Sequence, residues 1–155
     1  MTTRAEAVEI AKSWLGTPYV LGGRIKGAGC DCATLLAEYL IEIGAAPRED
    51  LGVYSHDWFC HASSERYLLG LLRHATATVE GVCRGTYRTE PGNVALFRVA
   101  NSQRYNHGAV LLDWPFGIHA CTENVQVINL AQHPMTSFQH MAIFEPKIWS
   151  AHADR

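Results

Sequence analysis

The stretch from Lys26 to Leu40, "KGAGCDCATLLAEYL", decides how the chain reads, because a glycine-broken loop there runs into a helix through two cysteines and one aspartate. From Cys32 onward, Leu35, Leu36, Tyr39, Leu40 and Ile43 fall on one helical face, and Thr34, Glu38 and Glu42 on the other. Asp31 stands where an N-cap belongs and Gly44 just past the helix end. Cys32 is then a first-turn residue, where free backbone N–H groups and the helix dipole favour a negative charge. A free thiol has a pKa near about 8.5, and helix N-termini or a neighbouring imidazolium bring it down to about 3.5–7.5. Position thus predicts reactivity at Cys32 and none at Cys30, which lies in the loop.

A nucleophilic thiol needs a base within hydrogen-bond reach, and the base needs a partner that orients it and stabilises its charged form. Two histidines on neighbouring strands supply both. His107 opens "HGAVLLD" and His119, twelve residues later, lies in "GIHAC", with "DWPFG" providing turn residues between them. A hairpin turning near Asp113 and Trp114 sets the two imidazoles almost opposite each other. A one-residue slip of register would point one of them away.

Around these residues the pattern is that of an α+β domain. Thr3 and Glu6 form a capping-box pattern ahead of a first helix of about three turns, stopped by Gly16 and Pro18. From Asn93 the chain reads as short β runs, "NVALFRV", "HGAVLLD", "GIHAC", "VQVINL" and "MAIFEP". Helices first and strands afterwards indicate N-terminal helices packed on a mostly antiparallel sheet of about five or six strands. The middle holds one further helix around "SSERYLLGLLRH" and aromatics at positions 54–67 that read as packing. One domain over residues 1–155, with an insertion at about 45–90, is the simplest organisation.

The chain has 155 residues, 48% apolar and 18% charged, with a formal net charge of -2. This is the composition of an ordinary soluble domain, and it excludes nucleic acid as a main partner. No run approaches the ~20 apolar residues that span a bilayer, and the N-terminus does not read as a signal peptide. Five cysteines without C-x-x-C spacing predict neither a disulfide framework nor a zinc ribbon. The "HDWFCH" cluster, His56 to His61, fits no common zinc pattern and reads as a surface loop with aromatic anchors. No G-K-[ST] follows the glycines at 16, 22, 23, 27 and 29, so they read as turns and not as a phosphate loop.

Three motifs in order resemble the NlpC/P60 cysteine peptidases, papain-like enzymes that cut bacterial cell-wall peptides, and above all the short forms of phage tails. They are "WLGTPYVLGG" with "GCDCATLL", then "EPGNVALFRV" with "NHGAVLL", then "GIHA", covering about residues 5–45 and 90–130. The resemblance implies a papain-like NlpC/P60 fold, with Cys32 as nucleophile, His107 as general base and acid, and His119 as the member that orients His107. It implies substrate-binding roles for Tyr19 and Asp31, and a mechanism that needs no metal or organic cofactor. The implied partners are a peptidoglycan peptide substrate and phage tail hub proteins. The implied setting is synthesis in the cytoplasm, carriage in a virion or phage-like tail, and action in the periplasm or cell wall. Ala33 and Thr34 stand where the family usually has Ser-Gly, and Asn93 where it usually has aspartate. These departures keep two rivals open: a tail-tip or hub structural protein that retains the fold with little catalysis, and a related thiol amidase or acyltransferase.

Overall fold

Strands such as "VALFR" and "HGAVL", apolar at nearly every position, suit a sheet that is covered on both faces. The computed structural model describes residues 1–55 and 66–150. In it β3 (Ala75–Val82), β4 (Val94–Arg98), β5 (His107–Leu111), β6 (Phe116–Ala120), β7 (Val125–Asn129) and β8 (His140–Pro146) form one antiparallel sheet of order β3-β8-β4-β5-β6-β7. A two-stranded ribbon of β1 (Arg24–Ile25) and β2 (Gly29–Cys30) precedes it. The helices are α1 (Arg4–Lys12), α2 (Cys32–Glu42), α3 (Arg66–Leu72) and α4 (Lys147–Ser150). The architecture is the α+β arrangement expected, with six strands in the main sheet. All five expected β runs are strands. The expected central helix is α3 from Arg66, and the residues before it lie outside the described residues.

Strand alternation sorts the core into two layers. On one face Val94, Leu96, Val110, Ile118 and Phe144 pack against Trp14, against Leu35, Leu36 and Tyr39 of α2, and against Ile43 at its C-cap. On the other, Ala95, Phe97, Ala109, Leu111, Met141 and Ile143 pack with Cys83 and Leu130. Each buried aliphatic or aromatic side chain contributes roughly 1.5–3 kcal/mol, so the two layers dominate stability. The sixth strand, β3, was not legible as one: its residues are small or polar and mostly exposed, and its register on β8 shifts between Ala77 and Val79.

α2 also differs from its amphipathic reading. Thr34 and Glu38, on its polar face, are 1% and 4% exposed. Glu38 accepts from Arg24 Nε at 2.5 Å and from Arg48 Nη2 at 2.6 Å, and Glu42 accepts from Trp14 Nε1 at 2.7 Å. That face is therefore a polar dock for the flanking loops, and it anchors the segment that leads into Cys32.

Asn93, buried at the start of β4, accepts a hydrogen bond from Arg4 Nη1 at 2.9 Å, and Arg4 also pairs with Glu145. The β4–β5 register sets His107 opposite Phe97, four residues further along. At about 3.3 Å per residue, Asn93 is thus about 13 Å from the histidine end of the sheet. Its side chain ties α1 to the sheet.

Gly108 sets how closely α2 approaches β5. A Cβ there would lie 2.4 Å from Leu36 Cδ1 and 3.3 Å from the Ala95 carbonyl oxygen. Gly108→Ala is expected to cost about 1–3 kcal/mol, read as a lower denaturation midpoint, because the helix must move off the strand. An unchanged midpoint would mean that Leu36 rotates away freely.

Candidate active site

The site starts at the cap of α2. Asp31, 1% exposed, adopts extended backbone at the N-cap, and its Oδ1 accepts from the N–H groups of Ala33 at 2.9 Å and Thr34 at 2.8 Å. The Thr34 hydroxyl returns the bond by accepting from Asp31 N–H at 2.8 Å. Thr34 thus completes a capping box, and the half-buried Cys32 is the first residue of the helix. Asp31 Oδ2 accepts from Gly22 N–H at 2.8 Å and from the Tyr54 hydroxyl at 2.5 Å. The cap therefore also pins the glycine loop and the segment after α2.

The Cys32 thiol lies 3.9 Å from the carbonyl oxygen of Asn106, the residue before His107. Asn106 holds the start of β5 in place: its N–H donates to Phe97 O at 3.0 Å, and its Oδ1 accepts from Val99 N–H at 2.8 Å. This contact joins the first residue of α2 to the backbone just before β5, at one end of the sheet.

His107 Nε2 and His119 Nδ1 are 2.8 Å apart, and the two rings meet nearly perpendicular, with centroids 5.0 Å apart. The turn falls where expected, at Asp113 and Trp114, and its centre sets the two rings slightly out of step. Val110 pairs with Ile118 and Leu111 with Gly117, so the hairpin is centred at Trp114 and His119 lies level with Ala109. The Leu112 N–H to Phe116 carbonyl bond at 2.9 Å closes this turn. Moving the centre by one residue moves the partner by two, which keeps both imidazoles on the face of Ala109 and Leu111. They meet diagonally, within reach of long side chains.

Both histidines are buried, at 4% and 0% exposure. Burial, then the charges of His119 and His133, push His107 down to about 3. Burial, then His133, pushes His119 down to about 4. Both are neutral at pH 7, the state a general base requires. The consequence for stability has a definite sign. Unfolded histidine takes its proton near pH 6.5, whereas the folded pair resists it until well below 5, so stability falls as pH drops below about 6.5. The slope approaches about 1.4 kcal/mol per pH unit for each histidine. Urea unfolding at pH 7, 6 and 5 should show this decline, and His119→Asn should lose about half of the histidine contribution. A midpoint independent of pH in this window would contradict the buried neutral pair.

Tyr19 is half-buried, and its hydroxyl is pushed above the usual tyrosine range by burial and then by the charges of Cys32, Asp31, Cys121 and Cys30. It thus borders the thiol and stays protonated. Tyr54 is likewise pushed up, by burial and then by its bond to Asp31. Cys30 is fully buried on β2, and burial followed by the Asp31 charge pushes its thiol up to about 12. It is an unreactive core residue, in contrast to its neighbour two positions on.

Two residues of this neighbourhood carried no sequence signal. Tyr54 belongs to an irregular loop without periodicity, and its bond to Asp31 is made only by the fold. His133 lies beyond β7, and its ring packs on His119 with centroids 5.4 Å apart. The motif departures acquire places as well. Thr34 is part of the cap, and Ala33 lines a cleft together with Tyr54, Arg24 and Leu36. The His56–His61 cluster lies outside the described residues. Among the described residues, no group of three or more His, Cys, Asp or Glu side chains is arranged to hold a metal ion. No described helix is long and apolar enough to cross a membrane.

No protein-family model matches the sequence, and comparison with curated proteins gives no match. Among solved structures, the chain is similar to the NlpC/p60 domain of the peptidoglycan hydrolase SagA, at a TM-score of 0.59 and 19% sequence identity. The superposition covers 92% of this chain and 98% of that one. Over most of its length, therefore, this chain has the α+β fold of an NlpC/p60 domain, with a six-stranded antiparallel sheet beneath its N-terminal helices.

Proposed function

We propose that the chain is a cysteine peptidase that hydrolyses peptide bonds in the stem peptides of bacterial peptidoglycan. The observation that carries this reading is the His107–His119 pair, 2.8 Å apart, at the strand end whose preceding carbonyl touches the Cys32 thiol. A capped helix start, a buried neutral imidazole and a second imidazole behind it are the parts that thiol acyl transfer needs. The SagA neighbour is described as a peptidoglycan hydrolase, which favours this substrate class for the shared fold.

In the proposed mechanism, His107 Nδ1 takes the Cys32 proton as Sγ attacks the peptide carbonyl carbon. The oxyanion is received by the Cys32 backbone N–H, with the protonated Tyr19 hydroxyl beside it. His107, as imidazolium, donates through Nε2 to His119. It then protonates the leaving amine through Nδ1 as the C–N bond breaks. Water adds to the thioester while His107 again takes its proton, and collapse of the adduct returns the carboxylic acid and the thiol. Asp31 contributes to substrate binding by fixing Tyr54 and the Gly22 loop, since its own carboxylate is already hydrogen-bonded to both.

The setting we assign is a phage or phage-like tail that delivers the domain to the cell wall, with tail hub proteins as partners. That assignment rests on the sequence motifs. Digestion of purified peptidoglycan followed by mass spectrometry of the fragments tests the activity. New amino and carboxyl ends within the stem peptide are expected. Cleavage at the glycan–peptide amide would point to an amidase instead, and no new ends on any wall type would remove the reading.

A further inference from the structure

The base role of His107 places a demand on His119 that the two residues cannot meet alone. For His107 Nδ1 to hold a lone pair for the thiol proton, its Nε2 must carry hydrogen and donate to His119 Nδ1, 2.8 Å away. His119 must then carry its own hydrogen on Nε2. The reverse arrangement, with His119 Nδ1–H donating, places the His107 proton on Nδ1 and abolishes the base. His119 Nε2 is fully buried and has no hydrogen-bond partner among the described residues. Among those residues, no oxygen or nitrogen selects between the two tautomers.

What does pack on His119 is a third imidazole. The His133 ring lies with its centroid 5.4 Å away and its plane at 81° to that of His119. Its position is over-determined for a residue in a loop. His133 N–H donates to the Asn129 carbonyl at 2.8 Å, and its own carbonyl accepts from Thr136 N–H at 3.1 Å and Ser137 N–H at 2.9 Å. Its Nδ1 accepts from Met135 N–H at 3.2 Å, and the Thr136 hydroxyl, fully buried, closes the loop on the Leu130 carbonyl at 2.7 Å. Perpendicular rings at this separation set the edge of one against the face of the other. An N–H directed at an aromatic face is attracted, and a lone pair there is repelled.

We propose that His133 is a positioning residue: its perpendicular ring holds His119 in the Nε2–H tautomer, and through the His107–His119 hydrogen bond keeps His107 Nδ1 free as the base. This inference rests on the functional reading above. The titratable group that packs on the pair is His133, from the loop after β7, against the His119 ring.

Two variants separate the aromatic face from mere bulk. His133→Phe keeps a ring against His119, and His133→Leu keeps volume without one. Nitrogen NMR of the histidine rings at pH 7 is expected to show His107 and His119 protonated on Nε2 in wild type and in His133→Phe, and a tautomer mixture in His133→Leu. Peptidoglycan hydrolysis should follow, with kcat reduced about tenfold or more in His133→Leu, KM unchanged, and near-normal kcat in His133→Phe. His119 protonated on Nδ1 in wild type, or identical tautomers and kcat in His133→Leu, would overturn the inference. The NMR readout needs no substrate. If wild type fails to cut peptidoglycan but shows the expected tautomers and their loss in His133→Leu, the substrate assignment fails and the positioning role stands.

Discussion

Cys32→Ala is expected to reduce peptidoglycan hydrolysis by about 10⁴- to 10⁶-fold while leaving the fold intact. Residues that act as one catalytic unit lose nearly all of the rate when the nucleophile goes, and what remains comes from binding and oxyanion stabilisation. The fold should survive because the cap is made by Asp31 and Thr34, the thiol is only half-buried, and alanine is a good helix residue. A stability change under about 1 kcal/mol in urea, alongside lost release of soluble fragments, is the expected pair of results. Residual activity above about 1% of wild type would show that another group attacks the carbonyl.

His107→Ala should have the second largest effect, a loss of about 10³- to 10⁵-fold in kcat with little change in KM. Without it the thiol has no acceptor for its proton and the leaving amine no donor, so both halves of the reaction suffer. The variant also leaves His119 Nδ1 buried without its partner, a cost of about 1–3 kcal/mol in stability. His119→Asn can still accept from His107 Nε2–H and should retain far more activity, within about 100-fold of wild type. Equal losses for the two variants would mean that His119 does more than orient. Steady-state release of amino groups from defined muropeptides measures both.

The helix that carries Cys32 was legible because its signals agree: a capping aspartate, helical apolar spacing and a terminal glycine all mark the same boundaries. The five C-terminal strands were legible for the same reason, each being a short apolar run closed by turn residues. The His107–His119 encounter was only partly legible. The side of the sheet is set by parity, which spacing conveys, whereas the level along the strand depends on whether the turn centres on Asp113 or Trp114, and the Leu112–Phe116 bond selects Trp114. β3 escaped because its small and polar residues carry no burial pattern, and it pairs only as an edge strand on β8. Glu38 escaped because a charge on a helix face reads as solvated until Arg24 from β1 and Arg48 from the segment after α2 reach it. Tyr54 and His133 are brought to the site by loops, where nothing periodic marks a side chain's destination.

The departure at Asn93 also looks different with the fold in hand. It removes a charge at the far end of β4, where Arg4 already bonds Glu145 and the asparagine side chain. It bears on how α1 is tethered and leaves the thiol chemistry untouched. Ala33 is the departure that lines a cleft, shared with Arg24, Leu36 and Tyr54 and not lined by Cys32, His107 or His119.

In the proposed mechanism Cys32 and His107 act as one unit. The pH dependence of Cys32 alkylation by iodoacetamide, read at Cys32 by peptide mapping, tests this without any substrate. Wild type is expected to label with an apparent pKa below about 8.5, and His107→Ala at least about tenfold more slowly at pH 6–7. Identical pH profiles in the two proteins, with wild type at or above the free-thiol value, would contradict it.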